Sequence, residues 1–522
     1  MKQSNVQNQS TDVVIVGGGL AGMTAALGLQ REGIQCIVLE KKDILGGRAR
    51  SWVDEKTGDP IHIGPHILLS EYPNMLKLLE IVGTKDKIVW ERDHFMVQTL
   101  GAKKHVLKQA PVPSPFSFIP SLLSYPVGSL VDKASNILLS AAVLQMTEED
   151  FLELDDENAY AYLKRMGVTD TYIDQFWTFT SLSIMNVPLD LCSAGALMRF
   201  FQKFLGYTEW YFGFTDGGLG EIWAPATLAA IQKAGGEVRT NTSVKELIVE
   251  HDVVKGVVLE DGSTIRARHT IMATEPQTFY AMGPFEWRRK YKWFDDLSYF
   301  HPCPYKSVFV WFDHKITDLR MWARCYQPGD LNCDFYDNSN IFSNRPSKSP
   351  NSMIASNIIF SDRVEGMSDE ELVRQTVREI SEVHPTATWD HVTHWVVNHV
   401  PMAIHLPYPG TEKRRPQPQV GVEGLILAGD YVQTYVPGCM ESAVCSGWMA
   451  AEAILAERGK PKQLSVERRP IDGMAGLINK GVQYLPHRVA RRTLRRLRNA
   501  GGVAGSVDGL AGKARDMWRQ LG

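Results

Sequence analysis

The stretch VVIVGGGLAGMTAALGLQREGIQCIVLEKK, Val13 to Lys42, decides the fold. Val13 to Val16 is a short β-rich apolar run. Gly17, Gly19 and Gly22 then fit GxGxxG and open a helical pattern from about Leu20 to Glu32. Glycine at the first two positions lets the turn tighten and the backbone approach a pyrophosphate, whose charge meets the helix N-terminus; the third lets helix and strand pack closely. A second strand, Cys36 to Leu39, ends at Glu40, 21 residues after Gly19. A carboxylate there accepts hydrogen bonds from a ribose 2′-hydroxyl and disfavours a 2′-phosphate. Strand, glycine turn, helix, strand and terminal acid in this order predict a Rossmann-like dinucleotide site rather than a structural glycine-rich turn.

LGGRARSW, Leu45 to Trp52, follows at once and resembles the signature of the FAD-binding amine oxidase and phytoene desaturase superfamily. The resemblance implies FAD rather than NAD. It brings the backbone of Gly46 and Gly47 close to the cofactor and sets Arg48 and Arg50 to neutralise the pyrophosphate or orient the flavin region. Leu20, Ala21 and Lys41 belong to the same expected cofactor set. Far along the chain, AGDYVQTYVPGCMESAVCSGWMAAEAI, Ala428 to Ile454, resembles the C-terminal flavin motif of carotenoid desaturases. By that resemblance Gly429 and Asp430 meet the ribityl or diphosphate portion. Gly438, Cys439 and Met440 lead a helix whose N–H groups face the flavin pyrimidine edge, where negative charge develops on reduction. Val244 matches a residue whose backbone contacts adenine. His62 to Gly83 and Ser307 to Ile316, which contains a WFD signature, resemble segments of the plant and cyanobacterial-type desaturases. The resemblance runs from about Thr11 to Gly459.

The implied fold class is α/β: a Rossmann-like FAD-binding domain with a mixed α+β substrate domain, amine oxidase/desaturase-like. The pattern divides the chain into a first FAD-binding segment at 1–90, a mainly helical substrate or membrane-facing region at 91–230, and a second FAD-binding segment at 231–299. A substrate-domain sheet with helices follows at 300–420, a final FAD-binding segment at 421–460 and a basic extension at 461–522. Thr147 followed by acids predicts a capped helix. Alternating runs after Thr242 predict strands with turns at Asp252 and Asp261-Gly262.

The implied chemistry is desaturation of an apolar isoprenoid or carotenoid-like substrate, with hydride passing to flavin N5 and a proton leaving the neighbouring carbon. No charged substrate anchor is legible. Phe116, Phe118, Phe176, Trp177, Phe179, Phe200, Phe201, Phe204, Trp210, Tyr211 and Phe212 offer an apolar tunnel. His66, in the segment resembling the approach to the flavin face, is a candidate to polarise substrate or assist proton removal. Lys306 is a second candidate, by likeness to a lysine that holds a water near flavin N5 in many amine oxidases. Amine oxidation is the nearest rival chemistry, weakened because PGCMESA puts Cys439 where many amine oxidases present an aromatic cage residue. Hydroxysqualene dehydroxylation, polyene isomerisation and noncatalytic FAD binding fit the same cofactor frame and stay open. Noncovalent FAD is expected, with oxygen or a quinone as electron acceptor.

Composition sets the limits. At 522 residues with 44% hydrophobic and 22% charged residues, the chain reads as globular with more than one lobe. Seven scattered cysteines show no CxxC pair and no zinc-type spacing, so no metal site is expected and a reducing compartment is. The polar N-terminus does not read as a signal peptide, and no run reaches bilayer-spanning length. The expected location is cytoplasmic, with peripheral contact at the cytoplasmic membrane face as an option. That option rests on the basic tail, LPHRVARRTLRRLRNAGG, with arginines from Arg488 to Arg498. Its spacing suits an anionic membrane surface or a solvated, partner-contacting tail. No nucleic-acid fold accompanies it, so nucleic acid is not an expected partner.

Overall fold

The computed structural model describes residues 8–92, 96–327, 329–345 and 351–484. β1 (Asn8–Val16), α1 (Leu20–Arg31) and β2 (Cys36–Leu39) form in the predicted order. Val13 to Val16 and Cys36 to Leu39 are buried throughout, as strands of a parallel sheet covered on both faces require. β1 starts at Asn8 rather than Val13 because Asn8 to Thr11 pair with Thr264 to Ala267, remote residues that the local apolar pattern cannot reveal.

The chain returns to this sheet twice. Glu237–Arg239 lies parallel to β2, and Thr264–Met272 lies parallel to β1. Val253–Leu259 and Val244–Glu250 extend the sheet antiparallel, while Leu425–Leu427 pairs in parallel with Thr270 to Met272. The last segment then leads into the helix Met440–Glu457, which lies against α1 through small residues. A Cβ on Gly447 would stand 2.5 Å from the carbonyl oxygen of Ala21, and one on Gly28 3.1 Å from the Ala451 methyl.

A second sheet runs in the order Val392–His405, Pro302–Phe312, Met353–Ile359, Asp334–Asp337, Met321–Arg324, Met96–Leu100, Lys103–Leu107. Its last two strands come from the region expected to be mainly helical. Val308, Val310 and Phe312 face the amphipathic helix Asp369–Ser381, capped by Ser368 and Glu371. The alternate residues of the same strand, Tyr305 and Ser307, face the molecule's interior cavity.

Between Ile119 and Gly206 the chain is helical but broken, and Thr147 caps its helix as predicted. Two π-helical turns, Ile173–Trp177 and Ser181–Met185, interrupt it where the sequence carries no signal for them. Such turns frequently occur at functional sites, and here Phe176, Phe179, Thr180 and Ser183 from this stretch line the cavity. The first part of the expected C-terminal extension is docked: Val466 exchanges hydrogen bonds with Asn74, and Asp472 accepts one from Ser114. The helix Gly473–Tyr484 follows. The basic run from Arg488 to Arg498 lies outside the described residues.

Candidate functional site

A cavity of about 700 Å³ joins the two sheets. Gly17, Gly19, Leu20, Ala21, Glu40, Lys41, Gly46, Gly47, Arg48, Val244, Gly429, Asp430, Gly438, Cys439, Met440 and His66 all line it. Gly22 does not, because it packs inward, where a Cβ would collide with the carbonyl oxygen of Gly17. Lys306, the second catalytic candidate, is not among the lining residues either. Strand alternation turns Tyr305 and Ser307 to the cavity and Lys306 to the other face, opposite Ile358 and His399.

The glycine loop is held from below. Glu40 accepts from the backbone N–H of Gly18 at 2.9 Å and of Lys42 at 3.0 Å, so this buried carboxylate shapes the loop as well as facing the cavity. Gly46 donates to the Gly18 carbonyl, and Gly47 stands close over Gly19, which brings the two glycine motifs together. Neither α1 nor the helix Met440–Glu457 has a side-chain cap at its N-terminus, and both N-termini open on the same cavity. Two helix N-termini with their positive dipole ends fit a dinucleotide diphosphate at one and an electron-rich ring edge at the other.

Arg48 bridges the first and last segments, its guanidinium forming two hydrogen bonds to the Asp430 carboxylate at 2.6 and 3.1 Å. Burial works to raise the Asp430 carboxyl, but Arg48, together with His405 and Arg415, holds the group below its ordinary value. The sequence motifs give these two residues separate tasks and do not reveal their pairing. Nor do they reveal Arg415, whose position in TEKRRPQPQ looks like part of a solvated basic run. Its buried guanidinium donates to the carbonyls of Val436 at 2.6 Å, Asp430 at 2.8 Å and Val432 at 2.8 Å, fixing the loop that carries the flavin motif.

The His62 to Ile67 loop is fastened to the second sheet. Asn398 donates to the His62 carbonyl at 2.9 Å and Asn357 to the Pro65 carbonyl at 3.2 Å. His62 accepts from Leu219 N–H at 2.9 Å, which caps a helix, and burial pushes its pKa down to about 3. His66 Nδ1 lies 2.6 Å from the Gly64 carbonyl, which requires the proton on Nδ1 and leaves Nε2 as the acceptor. Burial lowers its pKa, so the neutral ring prevails at neutral pH. Cys439 hydrogen-bonds with Tyr72, and burial raises its thiol pKa.

Beyond the dinucleotide loops the cavity wall turns aromatic, with Phe176, Phe179, Phe200, Phe204 and Trp210. Of the remaining tunnel candidates, Phe116 is exposed and Trp177 is fully buried outside the lining. Two charged residues, Asp334 and Lys203, also line the cavity.

The family model described as "Flavin containing amine oxidoreductase" matches residues 20–455. The chain is 27% identical over 472 residues to a 15-cis-phytoene desaturase of Capsicum annuum, covering 85% of this chain and 78% of that protein. It is 24% identical over 473 residues to the 15-cis-phytoene desaturase of Synechococcus elongatus, covering 87% and 98%. A zeta-carotene desaturase of Synechocystis is 24% identical over 481 residues, covering 86% and 98%. Among solved structures, a putrescine oxidase bound to putrescine superposes with a TM-score of 0.67 at 16% identity, covering 86% of this chain and all of that one. At that identity the likeness is one of fold.

Proposed function

Because the chain belongs to the family of flavin-containing amine oxidoreductases, we propose that this FAD-dependent oxidoreductase desaturates an apolar isoprenoid or carotenoid-like substrate. The observation that carries the reading is the continuity of the cavity, which runs from the dinucleotide loops into a chamber walled by Phe176, Phe200, Phe204 and Trp210. FAD, bound between the two helix N-termini, supplies the two-electron acceptor. The protein orients the substrate chain against the aromatic wall, excludes water, and presents unprotonated Nε2 of His66 as a proton acceptor. The raised thiol pKa of Cys439 favours noncovalent attachment, since the thiolate is the reactive form. Lys306, turned to the opposite face, removes one support for amine oxidation. Oxygen or a quinone reoxidises the cofactor in this reading.

Access to a water-insoluble substrate calls for contact with lipid. No helix among the described residues is long and apolar enough to cross a membrane. The short helices Leu130–Ala134 and Ile137–Leu144 expose Leu130, Val131, Ile137 and Leu138, beside an exposed Leu123. Phe118, in the same region, stacks at 4.7 Å on the cavity residue Phe204, and the neighbouring hairpin exposes Lys103, Lys104 and Lys108. An apolar face rimmed by lysines fits peripheral docking on an anionic membrane. This face, rather than the basic tail alone, is our proposed contact.

The test is incubation of FAD-loaded protein with C30 and C40 isoprenoids, a quinone and oxygen, followed by product analysis. A product lengthened in conjugation supports the proposal, whereas turnover of amines alone overturns it.

A further inference from the structure

The sheet end of the cavity carries polar groups that a hydrocarbon has no use for. Asp334, only 3% exposed, accepts from the Ser183 hydroxyl at 2.7 Å and bonds with Tyr336. Gln98, 1% exposed, pairs across the strands with Ala323, which pairs in turn with Asp334. Tyr305, 8% exposed, stands two strands away and interacts electrostatically with Asp334. Asp334, Ser183, Tyr336, Gln98 and Tyr305 all line the cavity. The Tyr305 hydroxyl and the Gln98 Nε2 are buried with no protein partner.

Burying such donors without partners costs about 1–3 kcal/mol each, so a cavity devoted to hydrocarbon would be better built from phenylalanine and leucine here. Tyr336 and His66 also share the wall of a second small void, which places the cluster beside the loop carrying the candidate base.

We propose that this cluster is a subsite for a hydroxyl or carbonyl group on an otherwise apolar isoprenoid, with Asp334 as its centre and Tyr305 and Gln98 completing its hydrogen bonds. The inference rests on the isoprenoid reading and narrows it to oxygen-bearing substrates. Burial pushes the Asp334 carboxyl up to about 6. Above that value it accepts from an alcohol, and below it donates to a carbonyl. Tyr305 and Gln98 donate in either case.

The test titrates FAD-loaded protein in detergent micelles with squalene, with a C30 isoprenoid alcohol, and with the matching C30 amine, following the flavin absorbance. The alcohol is expected to bind about tenfold or more tightly than squalene, the scale of one satisfied buried hydrogen bond. Asp334→Leu should bring that ratio near one without weakening squalene. Because the Tyr305 hydroxyl makes no contact that folding needs, Tyr305→Phe should keep or raise the melting temperature while lowering alcohol affinity alone. A ratio near one in the unaltered protein, or a ratio that survives both substitutions, overturns the subsite and leaves the isoprenoid reading standing. Binding of no C30 compound to flavin-loaded protein overturns both, and preference for the amine over the alcohol overturns both in favour of amine chemistry.

Discussion

Replacing Arg48 with methionine should expose how the first and last chain segments are joined. The substitution leaves the Asp430 carboxylate, whose side chain is 5% exposed, without its two charge-assisted hydrogen bonds. Its next cationic candidate, His405 Nδ1, is 3.7 Å away, and burial pushes the His405 pKa down to about 4. Removing one partner of a buried pair costs about 3–5 kcal/mol; with the Arg48 side chain a quarter exposed, we expect about 2–4 kcal/mol. In the double variant Arg48→Met/Asp430→Asn no buried charge is stranded, so the loss should fall well short of the sum of the two single losses. In the unaltered protein Asp430 sits below its ordinary value of 3.8, so the pair's stabilisation is present above that pH and fades as pH falls through the depressed value. Without Arg48, burial raises the carboxyl, so its penalty is greatest near neutrality and shrinks as acid protonates it. The gap between the two proteins should therefore narrow as pH falls from neutrality. Urea unfolding at two FAD concentrations separates folding from cofactor linkage. A loss below about 1 kcal/mol, or additive losses in the double variant, would refute the reasoning.

Three further variants test other parts of the molecule. Gly447→Ala should cost about 1–3 kcal/mol in thermal or urea unfolding, because the new methyl meets the Ala21 carbonyl oxygen and pushes the helix off α1. Lys306→Met should leave flavin content and turnover of the desaturated substrate unchanged, since the side chain lies on the sheet's other face; a large loss of turnover with intact flavin would restore its catalytic candidacy. Leu130→Ser combined with Val131→Ser should sharply reduce co-sedimentation with anionic vesicles, because these two side chains are 71% and 72% exposed on the proposed contact face, while the melting temperature stays unchanged.

The cofactor end is legible because its requirements are local. A glycine turn, a helix start and an acid at the end of the next strand sit within thirty residues of one another, and backbone geometry fixes which residue types they tolerate. The segments that complete the sheet show themselves by alternation and by motif likeness, although their pairing partners do not. Arg415 shows where local reading stops. Basic neighbours and prolines make it look solvated, and only the return of the chain wraps the carbonyls of Asp430, Val432 and Val436 around its guanidinium.

The substrate end fails differently, through parity. In a strand, a residue chosen one position off points to the opposite face. Lys306 has the chemistry of a catalytic residue, but its neighbours Tyr305 and Ser307 are the ones that reach the cavity. The residues that distinguish an oxygen-bearing substrate from a plain hydrocarbon lie on separate strands at Gln98, Asp334 and Tyr305, and on a π-helical turn at Ser183. None carries a motif, since each is an ordinary polar residue with no spacing that marks it. Their meaning arises only when the sheet brings them to one wall and leaves the Tyr305 hydroxyl and the Gln98 amide there without partners. A flavoenzyme of this architecture therefore announces its cofactor in contiguous sequence and encodes its substrate in cross-strand register, so substrate class is better sought in unsatisfied polar atoms on the cavity wall than in further motifs.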